Sequence, residues 1–316
     1  MIKKLKNVNI ILANPRGFCA GVERAVDIVN RALNLFDGPI YVKHEVVHNK
    51  YIIQDMKKRG INFIEDIDDV PKGSILIFSA HGVSIDIKNK ANEKKLKIFD
   101  ATCPLVTKVH MEVHKYASDN RDVILIGHKG HPEIEGTMGQ YISDKGKIYL
   151  VENENQIDNI VIKNEKIAYV TQTTLSVDDT KKIINKIKRK FPNIICPSKD
   201  DICYATQNRQ DAVKEILKLC DCLIVVGSKN SSNSRRLTEL AEKRNIPAYL
   251  VDNKNDLNID KIKTMKFIGI TAGASAPEKL INEIIEYLES FGASITNSDT
   301  KLIQEHITFT LPKELR

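Results

Sequence analysis

VILIGHKG (residues 123–130) returns one hundred residues later as LIVVGSKN (223–230), with Gly127 over Gly227 and Lys129 over Lys229. The same offset of 100 lays DATC (100–103) over DDIC (200–203) and IYLVENEN (148–155) over AYLVDNKN (248–255). It also sets Val170 and Thr171 over Ile270 and Thr271. Four separated segments that keep one offset indicate a duplicated structural unit. The matched segments are largely short apolar runs that end in polar loops, and helical spacing lies between them. Strands alternating with helices imply parallel sheets covered by helices.

The first hundred residues repeat this layout more loosely. An apolar strand at Val8–Ala13 leads to Cys19, and AGVERAVDIVNRAL (20–33) has helical spacing. IYVKHEVVH (40–48), INFIEDID (61–68) and SILIFSAHG (74–82) then read as strands with polar ends. Cys19 stands 29 residues before His48, against 28 for both Cys103 to His131 and Cys203 to Ser231. We therefore expect three α/β modules, at 1–96, 97–194 and 195–294, followed by a tail at 295–316. Ligand sites in parallel sheets lie at the carboxyl ends of strands. Modules related by a pseudo-threefold axis would point Cys19, Cys103 and Cys203 at one centre. That centre would be ringed by His48, His81, His131, Glu133, Thr173, Ser231, Asn233 and Ser275.

The chain has six cysteines and no C-x-x-C pair. An isolated cysteine is most often a small buried apolar residue, and the repeat lifts only three of the six out of that reading. Cys196, Cys220 and Cys222 fall opposite Leu96, Asn120 and Asp122, and read as structural. Three convergent thiolates suit zinc or an iron–sulfur cluster. A structural zinc site is normally closed by four ligands, and clusters usually take four cysteines. Three would leave a metal position open for Lewis-acid chemistry.

The polar ring supports two readings. SKNSSNSRR (228–236) opens a helix, and helix N-termini bind phosphate. Taken singly, Ser231 and Ser232 read as helix caps, and His48 and His81 could be satisfied core histidines. Their recurrence at repeat-equivalent places favours an anion site for the group. Glu133 stands apart, because a carboxylate repels phosphate; delivering a proton would explain it.

Composition bounds the rest. With 316 residues, 42% of them apolar and 28% charged, the chain is ordinary for a globular protein of more than one module. No apolar run reaches membrane-spanning length, and the apolar stretch after the N-terminal lysines is too short for a signal peptide. A cytoplasmic chain with reduced thiols is expected. The net charge of +7 reads as a lysine-rich solvated surface, or as a field for an anionic substrate or acidic partner. Aromatics make up 6%, with no Trp, which argues against nucleic-acid binding.

NPRGFCAGVERA (14–25), HEVVHN (44–49), SAHGV (79–83), DATCPLV (100–106) and IGHKGHPEIEGTMGQ (126–140) together resemble one known family. TQTTLSVDDT (171–180), DICYATQNRQ (201–210), VVGSKNSSNSRRL (225–237) and TAGASAP (271–277) extend the match from about residue 10 to about residue 290. The sequence is similar to the 4-hydroxy-3-methylbut-2-enyl diphosphate reductase (LytB/IspH) family. The resemblance implies one [4Fe–4S] cluster per chain, held by Cys19, Cys103 and Cys203, with one open iron. It implies a diphosphate clamp of His48, His81, Ser231, Ser232, Asn233 and Ser275, with His131 as a further contact. Glu133 would relay a proton, with Thr173 as its partner beside the substrate hydroxyl. It also implies an allylic diphosphate substrate and a ferredoxin or flavodoxin as electron donor. A monomer with no nucleic-acid or membrane partner is expected.

Overall fold

The computed structural model describes residues 8–296 and 303–316. The lysines before Val8 and residues 297–302 of the expected tail lie outside the described residues. In chain order the elements begin β1 (Asn9–Leu12), α1 (Ala20–Leu35), β2 (Ile40–Lys43), α2 (Lys50–Lys58), β3 (Ile61–Ile64) and β4 (Ile75–Phe78). Next come α3 (Ile85–Glu93), β5 (Lys97–Asp100), α4 (Pro104–Ser118), β6 (Asp122–Ile126), α5 (Pro132–Met138) and β7 (Ile148–Val151). They continue with α6 (Glu154–Asn159), β8 (Ile167–Thr171), α7 (Val177–Lys190), α8 (Tyr204–Ile216), β9 (Cys222–Val226) and α9 (Ser232–Glu242). The last are β10 (Ala248–Val251), α10 (Ile259–Ile262), β11 (Phe267–Ala272), α11 (Glu278–Ser290) and β12 (Ser294–Ile295).

The described residues form an α/β fold with three sheets, and every strand pair in them is parallel. Two compact units contain these sheets. The first lies within Met1–Ala20, His48–Ile52 and Tyr204–Ile307, and the second within Gly21–Val47, Ile53–Cys203 and Thr308–Arg316.

The first unit has one sheet, in the order β10-β9-β11-β1-β12. The central β9 is buried at every position, which explains why it reads as the unbroken apolar run CLIVV. Ile10, Cys222, Ile224 and Ile268 pack into one core cluster, while Ile11, Leu223 and Val225 pack into another. This is the period-two alternation of a strand between two layers. Cys222 thus fills a core position, as the repeat implied. Burial pushes its thiol up to about 12, and that of Cys220 up to about 11.

The second unit has two sheets, β3-β2-β4-β5 and β7-β6-β8. Its β6, DVILI, is buried at every position. Pro104 and Pro132 start α4 and α5, where a missing N–H costs nothing.

The strand ahead of each cysteine pairs with the sheet of the preceding repeat. β5, ahead of Cys103, closes the sheet of β2, β3 and β4. Ile195, ahead of Cys203, pairs with Ala168 of β8. β1, ahead of Cys19, pairs with β11 near the far end of the chain, in the register Ile10 to Ile268. The full strand expected before Cys203 is reduced to that single bridge. Pro197 follows almost at once, removes a ladder donor, and leads into charged Lys199–Asp201. Cys196, grouped with the structural cysteines, is exposed in this segment rather than buried. No helix among the described residues is long and apolar enough to cross a membrane.

Candidate active site

Each of the three repeat-selected cysteines stands immediately before a helix, at α1, α4 and α8. All three are half-buried, whereas Cys220 and Cys222 are buried. Each donates its backbone N–H to a polar loop at the end of a strand. Cys19 donates to the Ala274 carbonyl at 3.2 Å, Cys103 to Ala80 at 3.0 Å and Cys203 to Thr173 at 3.0 Å. The accepting residues are Thr173 itself and the immediate neighbours of His81 and Ser275. The three cysteine loops are therefore docked by one repeated device. A thiol at a helix start feels the positive end of the helix dipole, which favours thiolate. Three such sulfur donors fit an iron–sulfur cluster.

In the second unit a continuous chain of contacts joins Cys203 to Cys103. From Cys203 the chain passes to the Thr173 carbonyl. The Thr173 N–H donates to Glu133 Oε1 at 2.6 Å, and its hydroxyl donates to Oε2 at 3.1 Å. The Glu133 N–H donates to His131 Nδ1 at 3.1 Å. The His131 ring meets the His81 ring edge to face, with centroids 5.6 Å apart. Ala80, next to His81, accepts from Cys103. Glu133 is 3% exposed. Burial pushes its carboxyl up to about 7, against the downward pull of both Thr173 bonds. It is thus a carboxyl that holds a proton close to neutral pH.

The first unit assembles the hydroxyl and amide groups. Ser231 caps α9, its Oγ accepting from the Ser234 N–H at 3.3 Å and from the Ser234 hydroxyl at 3.0 Å. The capping reading of Ser231 therefore holds. Ser232 and Asn233 are buried in the first turn. Asn233 Oδ1 accepts from the Ala274 N–H at 2.9 Å, which ties it to the loop that docks Cys19. The Ser275 hydroxyl donates to the His48 carbonyl at 2.8 Å, and His48 Nδ1 lies 3.4 Å from Asn230 Nδ2. Small polar groups at the start of an eleven-residue helix suit an anion. The described structure thus assembles Cys19, His48, Ser231, Ser232, Asn233 and Ser275 in one unit. The other unit assembles His81, Cys103, His131, Glu133, Thr173 and Cys203.

Gly82 shows how tightly the His81 loop is built. Its φ is +78°, and a Cβ there would stand 2.6 Å from His110 Cε1 and 3.1 Å from Thr102 Cγ2. Gly82→Ala is expected to cost about 1–3 kcal/mol in urea unfolding, from overpacking plus a strained φ. An unchanged midpoint would show that the loop yields freely.

Four residues at these loops escaped the sequence reading. Asp201, two residues before Cys203, is buried; its Oδ2 accepts from the Thr171 N–H and its Oδ1 from Lys108. Burial raises its carboxyl to about 7. Arg24, Lys108 and Arg209 each bind the backbone or carboxylate of a cysteine loop. Their only signal in the sequence is a cation five or six residues after each repeat-selected cysteine.

Fold and site together define a parallel-sheet α/β protein that combines helix-start thiols, anion-suited loops and a proton-holding carboxyl. The chain belongs to the LytB protein family, whose model matches residues 10–289. It is 58% identical to the 4-hydroxy-3-methylbut-2-enyl diphosphate reductase of Ectopseudomonas mendocina, across 98% of this chain and 99% of that one. It is 55% identical to the protein of the same name from Methylococcus capsulatus, with 98% and 99% covered. The solved E-1-hydroxy-2-methyl-but-2-enyl-4-diphosphate reductase of Plasmodium falciparum is similar at a TM-score of 0.91 and 42% identity, covering 98% and 97%. A second solved structure is described as (E)-4-hydroxy-3-methyl-but-2-enyl diphosphate reductase, the terminal enzyme of the non-mevalonate pathway. It is similar at a TM-score of 0.65 and 31% identity, covering 90% and 99%.

Proposed function

We propose that this chain is a reductase that removes the hydroxyl of (E)-4-hydroxy-3-methylbut-2-enyl diphosphate. Two electrons and two protons convert one substrate molecule to isopentenyl or dimethylallyl diphosphate and one water. The observation that carries this reading is the buried Glu133 carboxyl. Burial raises it to about 7, Thr173 bonds both of its oxygens, and the Thr173 carbonyl links it to Cys203.

Cys19, Cys103 and Cys203 would hold a [4Fe–4S] cluster with one open iron. When bound, such a cluster supplies the electrons and a Lewis-acid position that polarises the leaving oxygen. Hydroxide is a poor leaving group, so the proton on Glu133 matters: it turns the departing oxygen into water. Thr173 holds both carboxyl oxygens and so fixes the direction of the transfer. His48, His81, Ser231, Ser232, Asn233 and Ser275 bind the diphosphate, with His131 beside them. Their binding energy, remote from the reacting carbon, is spent on positioning it. The three modules would then face one cluster, and a ferredoxin or flavodoxin would bring electrons to a cytoplasmic monomer.

The test is anaerobic turnover of the allylic diphosphate with an artificial reductant, scored for both products. A brown protein with about four irons per chain that forms both products is expected. A colourless protein that holds zinc and no iron would end this reading.

A further inference from the structure

Each of three cations, on the helix that follows one cysteine, binds the loop that leads to another. Arg24 lies five residues after Cys19. It donates to the carbonyls of Asp100 and Thr102, both at 3.1 Å, in the loop that leads to Cys103. Lys108 lies five residues after Cys103. It donates to the carbonyl of Lys199 at 2.6 Å and to Asp201 Oδ1 at 2.9 Å, in the loop that leads to Cys203. Arg209 lies six residues after Cys203. It donates to the carbonyls of Gly17 at 2.8 Å and Phe18 at 3.0 Å, in the loop that leads to Cys19. The helix after the first cysteine thus braces the second loop, the second helix braces the third loop, and the third braces the first.

We propose that Arg24, Lys108 and Arg209 are positioning residues for the cluster. Each holds the loop of the next cysteine in place, and the charge of Arg24, which has no carboxylate hydrogen bond, raises the cluster's reduction potential. This inference rests on the cluster reading above.

The geometry favours this role over generic surface pairing. Arg209 is fully buried, yet its guanidinium spends three of its hydrogen bonds on Gly17 and Phe18. A buried charge is costly unless fully partnered, and the remaining partners are the Ala205 carbonyl and Glu305. Arg24 takes no carboxylate hydrogen bond; its third partner is the Thr310 carbonyl. Burial lowers the Arg24 guanidinium from its ordinary value, and the charges that attract it are the Asp100 carboxylate first and then Cys103, so its field reaches the Cys103 sulfur. Cluster potentials follow net charge and hydrogen bonding around the sulfurs. A nearby cation stabilises the more negative, reduced form, so its removal should lower the potential.

The experiment uses the anaerobically isolated protein with its cluster. Midpoint potential is read by redox titration under electron paramagnetic resonance, and iron loss by transfer to a chelator. Arg24→Met should shift the one-electron reduction equilibrium about tenfold toward the oxidised form, which is about 59 mV lower. It should also speed iron loss about tenfold, because the Cys103 loop loses its brace. Arg24→Lys keeps the charge with fewer donors. It should restore the potential while iron loss stays faster than wild type. Wild-type potential in Arg24→Met would overturn the electrostatic role, and wild-type iron loss the brace. Should Arg24→Met be folded by circular dichroism but free of iron, the brace is supported and Arg24→Gln, which keeps an N–H donor without the charge, carries the potential measurement. A wild-type protein without iron would instead overturn the cluster reading on which the inference stands.

Discussion

Glu133→Gln is expected to lower turnover by about 10²–10⁴-fold, the usual worth of a positioned proton donor. The amide matches the carboxyl in shape, and its oxygen can accept the Thr173 N–H, so the pocket keeps its form. Substrate affinity should therefore stay close to wild type while the proton transfer is lost. Single-turnover kinetics under anaerobic conditions separate these two effects. Wild-type turnover would show that the proton comes from elsewhere. In the wild type, activity should fall as pH rises through about 7, because Glu133 then loses its proton.

The same carboxyl supplies a readout independent of activity. Its folded-state value of about 7 lies above the ordinary 4.5 of an unfolded chain. Between these values the folded protein binds more protons than the unfolded one. The stabilising contribution is therefore fully present below 4.5 and is lost as pH rises through about 7. Above that, ionising the buried group costs on the order of 3 kcal/mol. Glu133→Gln should relieve this cost. The variant should gain unfolding free energy over wild type at pH 8 and gain little at pH 4.5. Asp201 titrates in the same window and its charge helps to raise Glu133, so the same comparison made in an Asp201→Asn background isolates Glu133. Equal stability at both pH values would show that Glu133 is not held protonated by burial.

Cys103→Ser is expected to strip most of the iron and nearly all turnover. A serine hydroxyl is a hard, weakly acidic donor and does not replace a thiolate on iron. Cys103 is half-buried at the start of α4, so the apoprotein should melt close to the wild-type apoprotein. Cys222→Ser should behave in the opposite way. It places a hydroxyl among Ile10, Ile224 and Ile268, at a cost of about 1–3 kcal/mol for an unpaired polar group. Its iron content should match wild type. Iron per chain and melting temperature, measured on both variants, test the assignment as a pair. Full iron in Cys103→Ser, or lost iron in a folded Cys222→Ser, would reverse the choice of ligands.

Much of the candidate site is legible in the chain because local pattern carries it. The repeat at an offset of 100 marks Cys103 and Cys203 as one position and sets them apart from Cys220 and Cys222. The loops bearing His81, Thr173 and Ser275 follow strands whose apolar runs announce them. The cations escaped because a cation five or six residues after a cysteine is a weak signal on helices that carry other basic residues. Their partners are backbone carbonyls dozens of residues away, and a carbonyl has no sequence signature.

The sequence by itself determined the parallel-sheet class and most of the alternating strands and helices, and it singled out Cys19, Cys103 and Cys203 as the candidates, since all of these rest on periodicity and repetition. Only the tertiary structure decided that each cysteine's leading strand joins the sheet of the preceding repeat. β1 illustrates the reason: its apolar run would fit any sheet edge, and pairing with β11 is set by the core that both strands bury. The tertiary structure also decided the state of Glu133. A glutamate in a sequence is an ordinary acid, and only its burial, working against the two Thr173 bonds, raises it to about 7.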